Sequence, residues 1–113
     1  MTPDNDKTIA LRGSVWMTIG DDNLGGHGRI ALLAGIAACG SITQAAKAIK
    51  MSYKAAWDAI DGMNNLAGEP LVERLTGGKG GGGTRLTPRG QQLVENFRLI
   101  EQEHRRFIDQ LSQ

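Results

Sequence analysis

The stretch SITQAAKAIKMSYKAAWDAIDGMNNL, residues 41–66, predicts two short helices joined by a tight turn. Ser41 and Ser52 each precede a helical pattern, and a serine hydroxyl there can accept a hydrogen bond from an otherwise unpaired backbone N–H. The apolar face of the first helix comprises Ile42, Ala45, Ala46 and Ile49. Because alanine is small, this face allows a neighbouring helix backbone to approach closely.

The second helix of this stretch has two distinct faces. Its predicted inward residues are Tyr53, Ala56, Ile60 and Met63. Its predicted outward residues are Lys54, Ala55, Asp58, Asp61 and Asn65. Two capped helices with a short turn are typical of a helix-turn-helix, whose second helix can enter the major groove of DNA. The alternative is an ordinary helical hairpin in an all-α core.

Length, cysteine content and charge set limits on the whole chain. With 113 residues and one cysteine, we expect a single domain without internal disulfides, in a cytoplasmic protein. The polar N-terminus has no signal-peptide pattern, and no apolar run is long enough to span a bilayer. Residues 23–57 contain four basic and no acidic side chains, and residues 72–90 contain four basic side chains and one acid. Positive charge therefore accompanies the predicted helix-turn-helix.

The segment before the helix-turn-helix predicts a strand and a helix. Residues 1–7 are expected to be a disordered leader. From Thr8 to Ile19 apolar residues alternate with polar ones, which predicts a strand with a bulge or bend at Gly13. Residues 20–23 predict a turn, followed by a loose glycine-containing connection. A helix is predicted from Arg29 to Ala38, capped by Gly40, and its inward residues are Ile30, Leu33, Ile36 and Ala37.

Downstream, two short strands flank a glycine-rich loop. The predicted strands are residues 71–75 and 84–87, and the loop is TGGKGGGG, residues 76–83. A phosphate-binding P-loop would need Ser or Thr after the lysine and a helix after the loop, and neither is present. The pattern instead predicts the wing of a winged helix-turn-helix, with Lys79 at its tip beside the DNA backbone.

Thr87 and Pro88 predict the start of a long helix that ends near Leu111. Its apolar residues follow the spacing of a coiled-coil seam and comprise Leu93, Phe97, Ile100, His104, Phe107 and Leu111. A helix of about 24 residues would be about 36 Å long, more than a domain of this size covers. We therefore predict a homodimer through this seam. The alternative is that the stripe packs within one chain.

The predicted fold is mainly α with small β: residues 1–7 form the leader, residues 8–88 a winged helix-turn-helix with an N-terminal strand or hairpin, and residues 89–113 a dimerisation helix. The expected DNA contacts are Thr43, Gln44, Lys47, Ser52, Tyr53, Lys54, Trp57, Lys79 and Arg85. Residues at the start of the second helix should lie deepest in the groove, and those of the preceding helix and the wing should contact phosphates. Trp57 is expected either to touch DNA or to pack against the wing. No arrangement of catalytic or metal-ligating residues is present, so an enzyme is not expected.

The motifs SYKAAWDAI, residues 52–60, and TGGKGGGG resemble the N-terminal domain of ModE-type molybdate-dependent transcriptional regulators. The resemblance covers residues 8–112 and extends more distantly to LysR-type regulators. It implies a dimeric repressor or activator that binds double-stranded operator DNA of molybdenum uptake and molybdoenzyme genes. Lys50 stands where many helix-turn-helix turns have glycine, which suggests a slightly different turn.

Members of that family carry C-terminal molybdate-binding domains, which would begin where this sequence ends. We therefore expect no cofactor here, and effector sensing, if any, by a separate partner protein. No membrane association is expected, because no apolar run is long enough to span a bilayer. A winged-helix module that binds another protein instead of DNA is the alternative function.

Overall fold

The computed structural model describes residues 7–75 and 83–112. Within these residues, four helices and two antiparallel two-stranded sheets follow one another along the chain. In order they are β1 (Trp16–Ile19), β2 (Asp22–Gly26), α1 (His27–Cys39), α2 (Ile42–Ala48), α3 (Tyr53–Ala67), β3 (Val72–Arg74), β4 (Thr84–Leu86) and α4 (Pro88–Leu111). The predicted fold class, mainly α with small β, is confirmed.

The N-terminal region forms a hairpin, which was one of the two predicted alternatives, but its turn does not lie at Gly13. Only Trp16–Ile19 is a strand, and it pairs with Asp22–Gly26 around a turn at residues 20–21. Of the glycines expected to form a loose connection, Gly25 and Gly26 lie in β2 and Gly28 lies in α1, which begins directly after Gly26. At Gly26 an added Cβ would lie 3.1 Å from the Val15 carbonyl oxygen, so the absent side chain lets the two strands approach closely.

Helix α1 supplies much of the core and is longer than predicted. Ile30, Leu33 and Ile36 are buried as expected, Leu32 is buried as well, and Ala37 is exposed instead of inward. Because the helix is apolar around most of its circumference, its buried arc is wider than one predicted stripe. The helix ends at Gly40, whose left-handed φ of 67° and N–H bond to the Ile36 carbonyl form the expected cap.

Helices α1 and α2 pack with their backbones close together. A Cβ placed on Gly35 would lie 2.9 Å from the Ala45 Cβ, a distance that only glycine avoids at this position. Ala45 and Ala46 are both buried. The prediction that the alanine-rich face of α2 permits a close helix approach is therefore correct.

Helices α2 and α3 both begin with a serine cap, and the turn between them contains a lysine in the left-handed conformation. The Ser41 hydroxyl accepts from the Gln44 N–H at 3.2 Å, and the Ser52 hydroxyl accepts from the Ala55 N–H at 3.1 Å, as predicted. Lys50 has a φ of 59°, in the left-handed region that glycine tolerates best. The turn thus keeps the conformation that glycine favours, and the different turn expected from Lys50 is not observed.

The wing strands pair antiparallel, with Val72 opposite Leu86 and Arg74 opposite Thr84. Each is shorter than predicted, because residues 71, 75 and 87 lie outside the ladder. The tip of the predicted wing, including Lys79, lies outside the described residues.

Helix α4 begins as predicted, with the Thr87 hydroxyl accepting from the Gly90 N–H at 3.1 Å and Pro88 in the first turn. Its N-terminal half is anchored in the core by Val94 and Phe97. The chain measures 63 × 33 × 21 Å, and its radius of gyration of 17.5 Å exceeds the value of about 13 Å typical of a compact domain of about 100 residues. Among the described residues no helix combines the length and the apolar character needed to cross a membrane.

Gly90 and Gly62 provide a matched test of this packing. At Gly90 an added Cβ would collide with the Leu71 carbonyl oxygen, whereas at Gly62 it would meet nothing within 4 Å. We expect Gly90→Ala to lower the free energy of unfolding by about 1–3 kcal/mol. Gly62→Ala should raise it by about 0.5–1 kcal/mol through helix propensity. Urea unfolding at fixed protein concentration measures both, and equal effects of the two changes would contradict the described packing.

Candidate nucleic-acid interface

The first turns of α3 present an exposed surface. Tyr53 is 55% exposed, so its assignment to the inward face was wrong, and Ala56, Ile60 and Met63 form that face without it. Tyr53 lies in the first turn, before the helix reaches the core. Its exposure leaves it free for the other predicted role, contact with DNA.

Lys54 is exposed beside Tyr53 and forms an ion pair with Asp58 one turn later, with Nζ and Oδ2 2.8 Å apart. The hydrogen bond to Asp58, followed by its negative charge, raises the pKa of Lys54, so the ammonium stays protonated at physiological pH. Because both side chains are largely exposed, the pair contributes little stability and can exchange for another anion. Asp58 therefore lies on the same face as Lys54, in agreement with the outward assignment of both residues.

The other predicted contacts on α2 and the turn are also exposed, namely Thr43, Gln44, Lys47 and Ser52. The hydroxyl oxygen of Ser52 already accepts the cap bond from Ala55, so its remaining capacity is as a donor. Thr43 lines the same cleft as Tyr53. Contact of these four residues with DNA stays a prediction.

Trp57 lies between α3 and the wing. Its ring is half-buried, the Tyr53 ring meets it edge-on with centroids 6.4 Å apart, and the Arg74 guanidinium carbon lies 3.8 Å from its ring centroid. The indole N–H is buried, with no hydrogen-bond partner among the described residues. Of the two roles predicted for Trp57, the structure supports packing against the wing.

Arg74 is a candidate site residue that the sequence analysis missed. Val72 is buried and side chains alternate along a strand, so Arg74 lies on the same face of the wing as Val72, toward α3. The alternation of side chains along the strand, together with a tryptophan on α3, is the sequence signal that could have identified Arg74. Arg85, which was predicted, lies on the opposite face and pairs with Glu73 at 2.8 Å.

A cleft of about 270 Å³ lies where α2, α3 and the wing meet. Its walls include Thr43, Tyr53, Trp57 and Arg74, with Thr84 on the wing side. Thr84 is only 5% exposed, and its hydroxyl has no partner among the described residues. Among all residues that the structure describes, no group of three or more His, Cys, Asp or Glu side chains is arranged to hold a metal ion.

The wing is fixed to α3 by the side-chain amide of Asn64. Its Oδ1 accepts from the Leu71 N–H at 2.8 Å, and its Nδ2 donates to the Val72 carbonyl at 3.2 Å. A further bond ties the other wing strand to the end of α1, because the Thr84 N–H donates to the Gly40 carbonyl at 3.1 Å. These bonds determine where the wing stands relative to α3.

The predicted seam on α4 divides into a buried and an exposed part. Phe97 is 1% exposed, so it belongs to the core and its assignment to a dimer interface was wrong. Leu93 is half-buried against the same core. Ile100, Phe107 and Leu111 are exposed together with the neighbouring Leu99, and half-buried His104 lies against Gly13.

Two capped helices at a tight turn, followed by a two-stranded wing, define a winged helix-turn-helix, the architecture of a large class of DNA-binding proteins. The model of the bacterial regulatory helix-turn-helix proteins of the lysR family matches residues 28–91. The chain belongs to this family.

Several curated relatives share most of this chain. The molybdenum transport protein ModE of Azotobacter vinelandii is 55% identical over 85 residues, which are 75% of this chain and 32% of that protein. The DNA-binding transcriptional dual regulator ModE of Escherichia coli K12 is 54% identical over 84 residues, 74% of this chain and 32% of the relative. The molybdenum-pterin-binding protein MopB of Rhodobacter capsulatus is 50% identical over 76 residues, 67% and 28% respectively. The chain thus spans about a third of the length of these relatives.

Among solved structures, ArgP from Mycobacterium tuberculosis is similar to this chain with a TM-score of 0.61. The match has 22% sequence identity and covers 78% of this chain and 31% of ArgP. At that identity the likeness concerns the fold alone.

Asn64 and its neighbour Asn65 test the attachment of the wing. Asn64→Ala leaves the buried Leu71 N–H without a partner, so we expect the free energy of unfolding to fall by about 1–3 kcal/mol. Asn65 is exposed on the same helix, and Asn65→Ala should change it by no more than about 0.5 kcal/mol. Thermal or urea unfolding of both variants makes the comparison, and equal stability would show that the amide does not hold the wing.

Proposed function

We propose that this chain is the DNA-binding part of a transcriptional regulator that binds operator DNA sequence-specifically as a homodimer. The observation that carries the proposal is the exposed start of α3, where Tyr53 and Lys54 stand beside the wing with their side chains available. In a winged helix-turn-helix, this is the surface that enters the major groove.

In the proposed complex, α3 lies in the major groove and the first-turn residues meet base edges. Lys54 exchanges its exposed partner Asp58 for a guanine edge or a phosphate, because an exposed ion pair costs little to break. Thr43, Gln44 and Lys47 contact the backbone from α2, and Ser52 donates from the turn. Lys79 and Arg85 remain predicted wing contacts.

The second copy is proposed to pack along α4. Ile100, Phe107 and Leu111 form an exposed apolar stripe on a helix that extends away from the core, and a second α4 would bury it. Two recognition helices would then meet half-sites about 34–36 Å apart in a palindromic operator. Leu93 and His104, both half-buried, lie at the edge of this stripe.

The relatives indicate which genes are controlled. Two of them are named for molybdenum transport and for transcriptional regulation by ModE. We therefore propose operators of molybdenum transport or molybdoenzyme genes, and a cytoplasmic location where such DNA is found. DNA binding by these residues is proposed to need no cofactor.

Selection from a random duplex pool, with and without molybdate, tests the function and provides a probe. The chain should enrich one palindromic sequence under both conditions. Its affinity should fall steeply with salt, since each phosphate neutralised contributes a slope of about −0.9 in log K against log salt. No enrichment and no mobility shift at low salt would contradict DNA binding.

Lys54→Ala should abolish binding of the selected duplex or weaken it by at least about tenfold, because it removes the cation at the groove surface. Lys7→Ala, the same change at an exposed residue in the N-terminal segment, should leave binding intact. Mobility shifts at fixed salt compare them. If Lys54→Ala binds like the unaltered chain, a winged-helix module for protein interaction becomes the better interpretation.

Phe107→Glu should convert the dimer to a monomer, because it places a charge in the apolar stripe. Phe107 is 57% exposed within one chain, so the fold of the monomer should survive. Gln102→Glu adds the same charge on α4 away from the stripe and should remain dimeric. Sedimentation equilibrium measures the mass of each, and an unaltered chain that is monomeric at micromolar concentration would refute the dimer.

A further inference from the structure

Within the described part of the wing, Arg74 carries the one guanidinium on the face that is turned toward α3. Its guanidinium carbon lies 3.8 Å from the centroid of the Trp57 ring, within the range of a favourable cation–π contact. Arg85, on the other wing strand, is engaged by Glu73 on the opposite face. No ion pair or hydrogen bond of the Arg74 side chain is found among the described residues, so its five N–H donors remain available.

Trp57 is itself held in place by ring contacts. Tyr53 meets it edge-on at an interplanar angle of 73°, and Arg74 covers its face. The buried indole N–H is left without a partner, which is unfavourable for a buried donor. The orientation of the ring is therefore set by what packs against its face and edge, and not by a hydrogen bond.

The stacked guanidinium lines the cleft that also contains Thr43 and Tyr53. Both of those residues are exposed members of the proposed DNA surface. A guanidinium stacked through its face keeps its N–H edge free, and that edge matches two oxygens of a phosphate. Arg74 therefore lies between α3 and the wing, and its contact with Trp57 holds the guanidinium in place.

We propose that Arg74 binds a phosphate of the DNA backbone beside the major groove, and that Trp57 is a positioning residue that holds the guanidinium for this contact without touching DNA. The inference rests on the proposed function and adds a contact to it. Because the Trp57 contact restricts the Arg74 side chain before DNA is bound, less side-chain entropy is lost on binding. The contact with Trp57 therefore contributes to the affinity for DNA.

The test uses the full chain and the duplex selected from the random pool. Arg74→Gln should weaken binding about ten- to a hundredfold and reduce the salt slope by about one for each chain of the complex, equally on duplexes with altered bases. Arg12→Gln, the same change at an exposed residue of the N-terminal segment, should alter neither affinity nor slope. A loss that disappears on duplexes altered at one particular base pair, with an unchanged slope, would assign Arg74 to base recognition and overturn the proposal.

A double-mutant cycle tests the positioning role. Trp57→Leu should weaken binding about threefold to tenfold, Trp57→Phe should restore most of the affinity, and Trp57→Leu added to Arg74→Gln should cause no further loss. Circular dichroism verifies that each variant is folded. If Trp57→Leu does not fold, Trp57→Phe and Arg74→Lys are compared in its place. Arg74→Lys retains the charge but lacks the planar stack, so it should bind more weakly than the unaltered chain. Additive effects of the two sites would refute positioning by Trp57.

Failure of this inference can be distinguished from failure of the proposed function. If the unaltered chain binds the duplex, Lys54→Ala does not, and Arg74→Gln binds normally, the regulator stands and the Arg74 contact is refuted. If the unaltered chain binds no duplex, both are refuted.

Discussion

The close approach of α1 and α2, where Gly35 meets Ala45, is the constraint on which the geometry of the helix-turn-helix depends. With α2 held on α1, the turn that follows is fixed by the Ala46 carbonyl, which accepts from the N–H groups of Ile49 and Met51. Lys50 takes a left-handed conformation within that turn. The direction of α3 follows, because Ala56 and Ile60 must reach the same core. A larger residue at the first contact would displace every later element.

The wing depends on its neighbours for its position. Strands of three residues cannot form a stable hairpin in water by themselves. Here the Asn64 amide binds the start of β3, the Gly40 carbonyl binds β4, and Arg74 stacks on Trp57. Two of these contacts come from α3, through Asn64 and Trp57, and one comes from the end of α1, through Gly40. The recognition helix and the wing therefore form one surface, and a change in either should be felt by the other.

Helix α4 connects the fold to assembly. Its first half, with Val94 and Phe97, completes the core, and its second half carries exposed apolar side chains. His27 joins the start of α1 to this helix through Glu101, with Nδ1 and Oε2 2.7 Å apart. Because one continuous helix serves both halves, the proposed dimer would set the spacing of two recognition helices through a rigid element.

The sequence by itself determined the elements whose cause is local. The caps at Ser41, Ser52 and Thr87, the end of α1 at Gly40 and the length of α4 all follow from hydrogen bonds or backbone preferences within a few residues. Helical periodicity also indicated most of the core, and the exposure of Lys54 and Thr43 followed from their place at helix starts.

Only the tertiary structure decided which residues of an apolar stripe are buried and which neighbours each side chain contacts. Phe97 and Phe107 share one seam in the sequence, yet Phe97 is 1% exposed and belongs to the core, whereas Phe107 is 57% exposed and lies at the surface. Arg74 and Arg85 are equally basic wing residues, and the register of a short hairpin turned one toward Trp57 and the other toward Glu73. Such choices depend on residues distant in the chain, and so periodicity and charge alone could not make them.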